Sequence, residues 1–150
     1  MKKRTKTEYI IVHCSANVNS TPETVARTHK ARGFSDVGYH YMVDKAGNVH
    51  QGRAEDLQGA HCIGRNGDSI GICLLGHFDI ENPTQEMKDA LTKLVDSLCV
   101  KYNIKKIDKH NTYKPTKTCP GVKAYALVDY LDIKNTIKDI RERLEWGREP

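Results

Sequence analysis

Apolar residues in this chain fall into short runs divided by glycine and polar clusters, and the runs follow two different periods. Tyr9-Ile-Ile-Val12, within Glu8 to Ser15, is a β-branched run of the kind that forms a buried strand. Ser20-Thr-Pro22-Glu23 has capping-box spacing with proline in the first turn, and Gly33 marks the far end, so a helix is predicted between them. After Gly38, Tyr39 to Val43 reads as a strand, Asp44 to Asn48 as a hairpin loop and Val49 to Gly52 as the return. Ser69 to Leu75 is continuously apolar between Gly67 and Gly76, as expected of a central strand covered on both faces. The segment from Gly59 to Gly67 is too rich in glycine for an element and reads as a loop.

Past Asn82-Pro83-Thr84, the residues Met87, Leu91, Leu94, Val95, Leu98 and Tyr102 recur at helical spacing. A short strand near Lys106 to His110 and a loop rich in Pro and Thr follow, and one or two helices over Tyr125 to Leu131 and Ile133 to Trp146 close the pattern. The sum is an α/β (α+β) fold, a single domain with a sheet and helices against it. Residues 1–8 form a basic N-terminal arm and residues 9–150 the domain. From about residue 132 a helical extension carries Ile133, Ile137, Ile140 and Leu144, which are expected to pack over the sheet.

At 150 residues and 17.0 kDa the chain buries roughly 68 to 70% of its unfolded surface as one domain, so no metal is needed to rescue the core. A metal here would therefore be catalytic first. No apolar run approaches the 18 or so residues of a membrane span, and the basic start Met1-Lys-Lys-Arg4 is followed by polar residues rather than a signal core. The product is expected to be cytoplasmic as synthesised, monomeric and without a membrane partner. Five cysteines without framework spacing suit a reducing compartment. A net charge of +5 favours anionic partners, but the basic residues are dispersed rather than interleaved with aromatics, which argues against specific nucleic-acid binding.

The candidate chemistry lies at predicted strand ends. His13 closes the first strand, His110 closes the last, and Cys119 follows in a loop long enough to turn back. Two imidazoles and a thiolate are ligands that borderline-soft Zn2+ prefers, and three of them leave a place open for water. Lys117, two residues before Cys119, could meet the oxyanion formed when water attacks a carbonyl. Tyr39 and His40 alternate, so only one of them faces such a site. His61, with Asn66 and Ser69, could line a polar cleft.

Ile11-Val-His13-Cys-Ser-Ala16, Asp36-Val-Gly-Tyr39-His40-Tyr41, Gly59-Ala-His61, Asn66-Gly-Asp-Ser69-Ile-Gly-Ile-Cys-Leu-Leu75 and His110 through Lys117-Thr-Cys119-Pro-Gly121 resemble, in that order, the zinc-dependent N-acetylmuramoyl-L-alanine amidases. That group includes amidase-type phage lysozymes and peptidoglycan recognition proteins. The resemblance runs from about Tyr9 to Tyr130. It implies a central mixed β-sheet flanked by helices, one zinc ion, and cleavage of the amide between N-acetylmuramic acid and L-alanine in peptidoglycan. By position it implies His13, His110 and Cys119 as metal ligands, Tyr39 and Lys117 as catalytic residues, and His61 and Asn66 as substrate-binding residues.

The role it suggests is a phage or prophage endolysin that reaches the cell wall when a holin releases it. The alternatives are a cytosolic enzyme recycling soluble anhydro-muropeptides and a peptidoglycan-binding module without turnover. Some phage amidases also bind the phage RNA polymerase; the basic arm is the segment available for that, and a solvated charged terminus is the simpler expectation. The loop from His110 to Cys119 is about one residue longer than the common phage spacing.

Overall fold

Tyr9–Cys14 forms β1, buried along almost its whole length, and it sits second from the edge of a five-stranded sheet. This computed structural model describes residues 1–146; residues 147–150 of the expected domain lie outside the described residues. The remaining elements are α1 (Pro22–Ala31), β2 (Tyr41–Val43), β3 (Val49–Gln51), β4 (Ser69–Leu74), α2 (Gln85–Lys101), β5 (Lys106–Lys109) and α3 (Tyr125–Trp146). The sheet order is β3-β2-β4-β1-β5, with β1 parallel to β4 and β5, β2 parallel to β4, and β3 antiparallel to β2. The sheet is therefore mixed, and β4 is buried at every position, as its apolar run predicts.

Alternation along the strands gives the sheet two unlike faces. Ile10, Val12, Ile70, Ile72, Leu74, Val43 and Ile107 pack with Met87, Leu91, Val95 and Leu98 of α2 and with Val128 and Leu131 of α3. On the other face Met42 and Cys73 join Val25 of α1, Val37 and Leu75 in a smaller cluster. In register with them stand His13, Gly71 and Ser69.

Four sequence expectations are corrected. The cap of α1 is Thr21, not Ser20: Thr24 N–H donates to the Thr21 hydroxyl at 3.1 Å, and Thr21 N–H donates to the Thr24 hydroxyl at 2.9 Å. Ser20 instead spends its hydroxyl on the Asn17 carbonyl at 2.8 Å. The second strand starts at Tyr41 rather than Tyr39, because the Gly71 N–H that a regular ladder would hand to a backbone carbonyl is taken by His40 Nδ1 at 3.0 Å.

The N-terminal residues are not a free arm. Lys3 bridges Leu57, Gln58 N–H donates to the Lys2 carbonyl at 2.7 Å, and the Arg4 guanidinium donates to the Leu57 carbonyl at 2.8 Å.

The C-terminal extension does not pack over the sheet. The two segments form one continuous helix, one of the two arrangements expected, and only Val128 and Leu131 of it are buried, whereas Ile133, Ile137, Ile140 and Leu144 are 45 to 58% exposed. The reason is length: β5 spans about 13 Å while α3 runs about 33 Å, so the helix outruns the strand beneath it. A groove of about 740 Å³ opens where it departs from α2, lined by Val95, Cys99, Val100, Ile133 and Ile137. Among the described residues no helix is long and apolar enough to cross a membrane.

Candidate metal centre

β1 delivers His13 to the α1 face of the sheet, 1% exposed. β5 ends at Lys109, and His110 opens a 3-10 turn, His110–Thr112, from which the chain loops back to Cys119. The Nδ1 or Nε2 atoms of the two histidines and the Cys119 Sγ all lie within 4.8 Å of one another, with the two rings 4.3 Å apart.

The loop from His110 to Cys119 is tied at several points. Asn111 N–H donates to the Cys119 carbonyl at 2.9 Å, and Cys14 N–H donates to Cys119 Sγ at 3.2 Å. Asp79 accepts from the Thr118 hydroxyl at 2.6 Å and from Val122 N–H at 2.9 Å. Gly121 has φ +103, and a Cβ there would stand 2.5 Å from the Phe78 backbone, so this turn needs glycine twice over.

Burial and nearby charges set the protonation of these groups. Burial pushes the His13 imidazole well below its usual range, and burial with the nearby Lys114 and Lys117 charges lowers His110, so both rings are lone-pair donors at neutral pH. The Cys14 thiol as hydrogen-bonding neighbour, together with burial, raises the Cys119 thiol, and a bound dication would displace that proton. Two imidazole nitrogens and one sulfur, with no carboxylate in the cluster among the described residues, fit zinc and fit poorly a hard cation that takes oxygen ligands.

Tyr39 and His40, just ahead of β2, enter different surroundings. The Tyr39 ring stands 5.0 Å from that of His13, whereas His40 is buried the other way, its Nε2 donating to the Leu57 carbonyl at 2.7 Å. Burial raises the Tyr39 phenol well above its usual range, so its hydroxyl keeps the proton. Lys117 is exposed on a turn in which its N–H donates to the Lys114 carbonyl at 3.1 Å. Lys114 is a second cation beside His110 that the sequence reading passed over. Its position one helical turn beyond His110 was the available signal.

His61 and Asn66 are placed differently from a groove-lining pair. His61 lies behind His13: its Nδ1 is 2.8 Å from His13 Nε2, and its Nε2 is 3.2 Å from the Ser69 hydroxyl, so both ring nitrogens are engaged inside the protein. The Asn66 side-chain oxygen accepts from His61 N–H and Cys62 N–H, both at 2.9 Å, and so braces the loop. Gly71 and Gly59 leave the room that the His61 ring occupies; a Cβ on either would fall within 2.6 Å of it. Neither glycine was singled out in the sequence, although a glycine inside an apolar central strand signals that something approaches closely.

The geometry now meets known proteins. The N-acetylmuramoyl-L-alanine amidase family matches residues 3–122. The chain is 37% identical over 128 residues to the endolysin of Enterobacteria phage T3 and 36% identical over 128 residues to that of Escherichia phage T7, in each case covering 80% of this chain and 84% of the relative. Among solved structures, the N-acetylmuramoyl-L-alanine amidase LysC from Clostridium intestinale has a TM-score of 0.80 at 31% identity, covering 86% of this chain and 85% of that one. Drosophila PGRP-LB has a TM-score of 0.75 at 29% identity, covering 84% and 81%. The matched segment contains β1, the His61 loop and the loop that returns Cys119, and the chain belongs to the N-acetylmuramoyl-L-alanine amidase family.

Proposed function

We propose that this chain is a zinc-dependent amidase of peptidoglycan, an endolysin that hydrolyses the bond between the lactyl carbonyl of N-acetylmuramic acid and the nitrogen of L-alanine. The observation that carries the reading is the convergence of His13, His110 and Cys119, remote in sequence, with their ligand atoms within 4.8 Å. These three residues would hold a zinc ion, which would supply a Lewis acid and lower the pKa of an attacking water. The remaining work belongs to the chain's own side chains.

Lys117 presents an ammonium on the turn beside His110, where negative charge grows on the carbonyl oxygen during attack, and a fixed cation lowers the barrier to forming it. Tyr39, which keeps its proton, donates a hydrogen bond and orients the attacking water; its raised pKa disfavours a role as base. No Asp or Glu joins the cluster among the described residues, so the proton for the leaving nitrogen is left to tyrosine, histidine or the attacking water. Asn66 contributes by bracing the loop that carries His61.

The test is incubation of the zinc-loaded protein with purified sacculi, followed by labelling of new amino termini. Release of fragments ending in L-alanine is expected, and intact stem linkages would overturn the reading. Comparison with soluble anhydro-muropeptides separates wall lysis, in which sacculi are the better substrate, from recycling. A binding module, which the likeness to a protein named for peptidoglycan recognition raises, predicts retention of muropeptides without turnover.

A further inference from the structure

We propose that His61 and Ser69 are positioning residues that fix the tautomer of His13, so that its Nδ1 lone pair, and not its Nε2, is offered to the metal; the inference rests on the zinc reading above. The direction of the hydrogen-bond chain follows from its far end. The Arg65 carbonyl can only accept, so the Ser69 hydroxyl, 2.6 Å away, donates to it. That spends the hydroxyl's one proton, and the Ser69 oxygen is left to accept. His61 Nε2, at 3.2 Å, therefore carries a hydrogen, which makes Nδ1 of the same neutral ring a bare acceptor. His13 Nε2, 2.8 Å from that acceptor, must donate, and its Nδ1 is left with the free pair.

Each link is held by something else. Arg65 is fixed by its bond to Asp68 at 2.8 Å and by stacking 4.3 Å over Tyr9, which anchors the carbonyl that starts the chain. Ser69 is fully buried at the start of β4. The His61 ring sits over Gly71 and beside Gly59, in space no other residue type at those positions would leave. A metal-ligating imidazole whose other nitrogen donates to a fixed acceptor is restrained in tautomer and in rotation, and losing such a partner typically weakens metal binding by roughly 10- to 100-fold.

The experiment measures zinc dissociation constants by competition with a chromophoric chelator for the parent, His61→Phe and His61→Asn, and records long-range proton–nitrogen spectra of the ring nitrogens in the zinc-free parent. Phenylalanine keeps a ring but offers no acceptor, and asparagine can set its amide oxygen where Nδ1 stood. The expected result is that His61→Phe raises the zinc dissociation constant by roughly 10- to 100-fold. His61→Asn should stay close to the parent, and the spectra should show His13 and His61 both protonated on Nε2. Parent-like zinc affinity in His61→Phe, or a proton on Nδ1 of His13, would overturn the proposal. If the parent itself takes up no zinc, the metal reading fails while the spectra still judge the relay. If His61→Phe does not fold, the His61→Asn affinity and the parent spectra decide.

Discussion

The two faces of the sheet are built from the same strands and solve different problems. Under α2 and α3 the side chains are isoleucine, valine, leucine and phenylalanine, and what holds them is area removed from water, which does not depend on direction. Under α1 the same strands present His13, Ser69 and Gly71, and the polar groups are satisfied one bond at a time by His61, Arg65 and the loop that carries them. Substitutions that conserve volume should be tolerated on the first face, whereas on the second an isostere that lacks one lone pair breaks a chain of contacts. Stability and chemistry are thus carried on opposite sides of strands only one residue thick.

Several substitutions break or sharpen that division. The largest expected effect is Cys119→Ala, which removes the only thiolate of the cluster: zinc uptake and amide hydrolysis should both disappear while circular dichroism stays that of the parent. On the apolar face Leu91→Ala should cost about 2 to 5 kcal/mol of stability by denaturant titration, with turnover at 25 °C unchanged as long as the protein remains folded. A large loss of activity in that variant would mean the faces are coupled. Lys117→Ala should keep its zinc and lose about 2.7 to 4 kcal/mol of transition-state stabilisation, read from kcat, if the ammonium acts as an oxyanion donor does; parent-like kcat would remove it from the reaction.

Buried His40 should also make the metal-free fold sensitive to acid. Burial holds His40 at about 4, against an ordinary value of 6.5. The unfolded chain therefore takes up a proton as pH falls past 6.5 that the folded ring refuses until about 4, and stability present above 6.5 is lost across that window, by about 3 kcal/mol. Nitrogen shifts of the His40 ring that report a cation at pH 5.5 would contradict this. The smallest effect is expected from Ile140→Ser on the projecting part of α3, within about 0.5 kcal/mol by thermal unfolding.

The apolar face was legible in the sequence because period alone locates it: the run from Ser69 to Leu75 and the spacing of Met87, Leu91, Val95 and Leu98 state which side chains are inside. The convergence of His13, His110 and Cys119 was legible because each ends or follows a strand, and parallel neighbours place such ends together. The support behind His13 was less legible. A histidine in a glycine-rich loop looks the same in sequence whether it faces a substrate or fills the gap over a strand glycine, and only the register that sets Gly71 against Ile11 and His61 over it tells the two apart. The fate of α3 was hidden for another reason. Ile133, Ile137, Ile140 and Leu144 have the spacing of a packed helix, and nothing local reveals that the strand beneath stops short.

That overrun makes the second half of α3 a stalk. From Ile133 to Trp146 it carries the chain about 20 Å along one line, past Leu131, its last buried residue among those described. A folded cargo grafted onto the helix at Trp146 would ride at a set distance and bearing from the sheet.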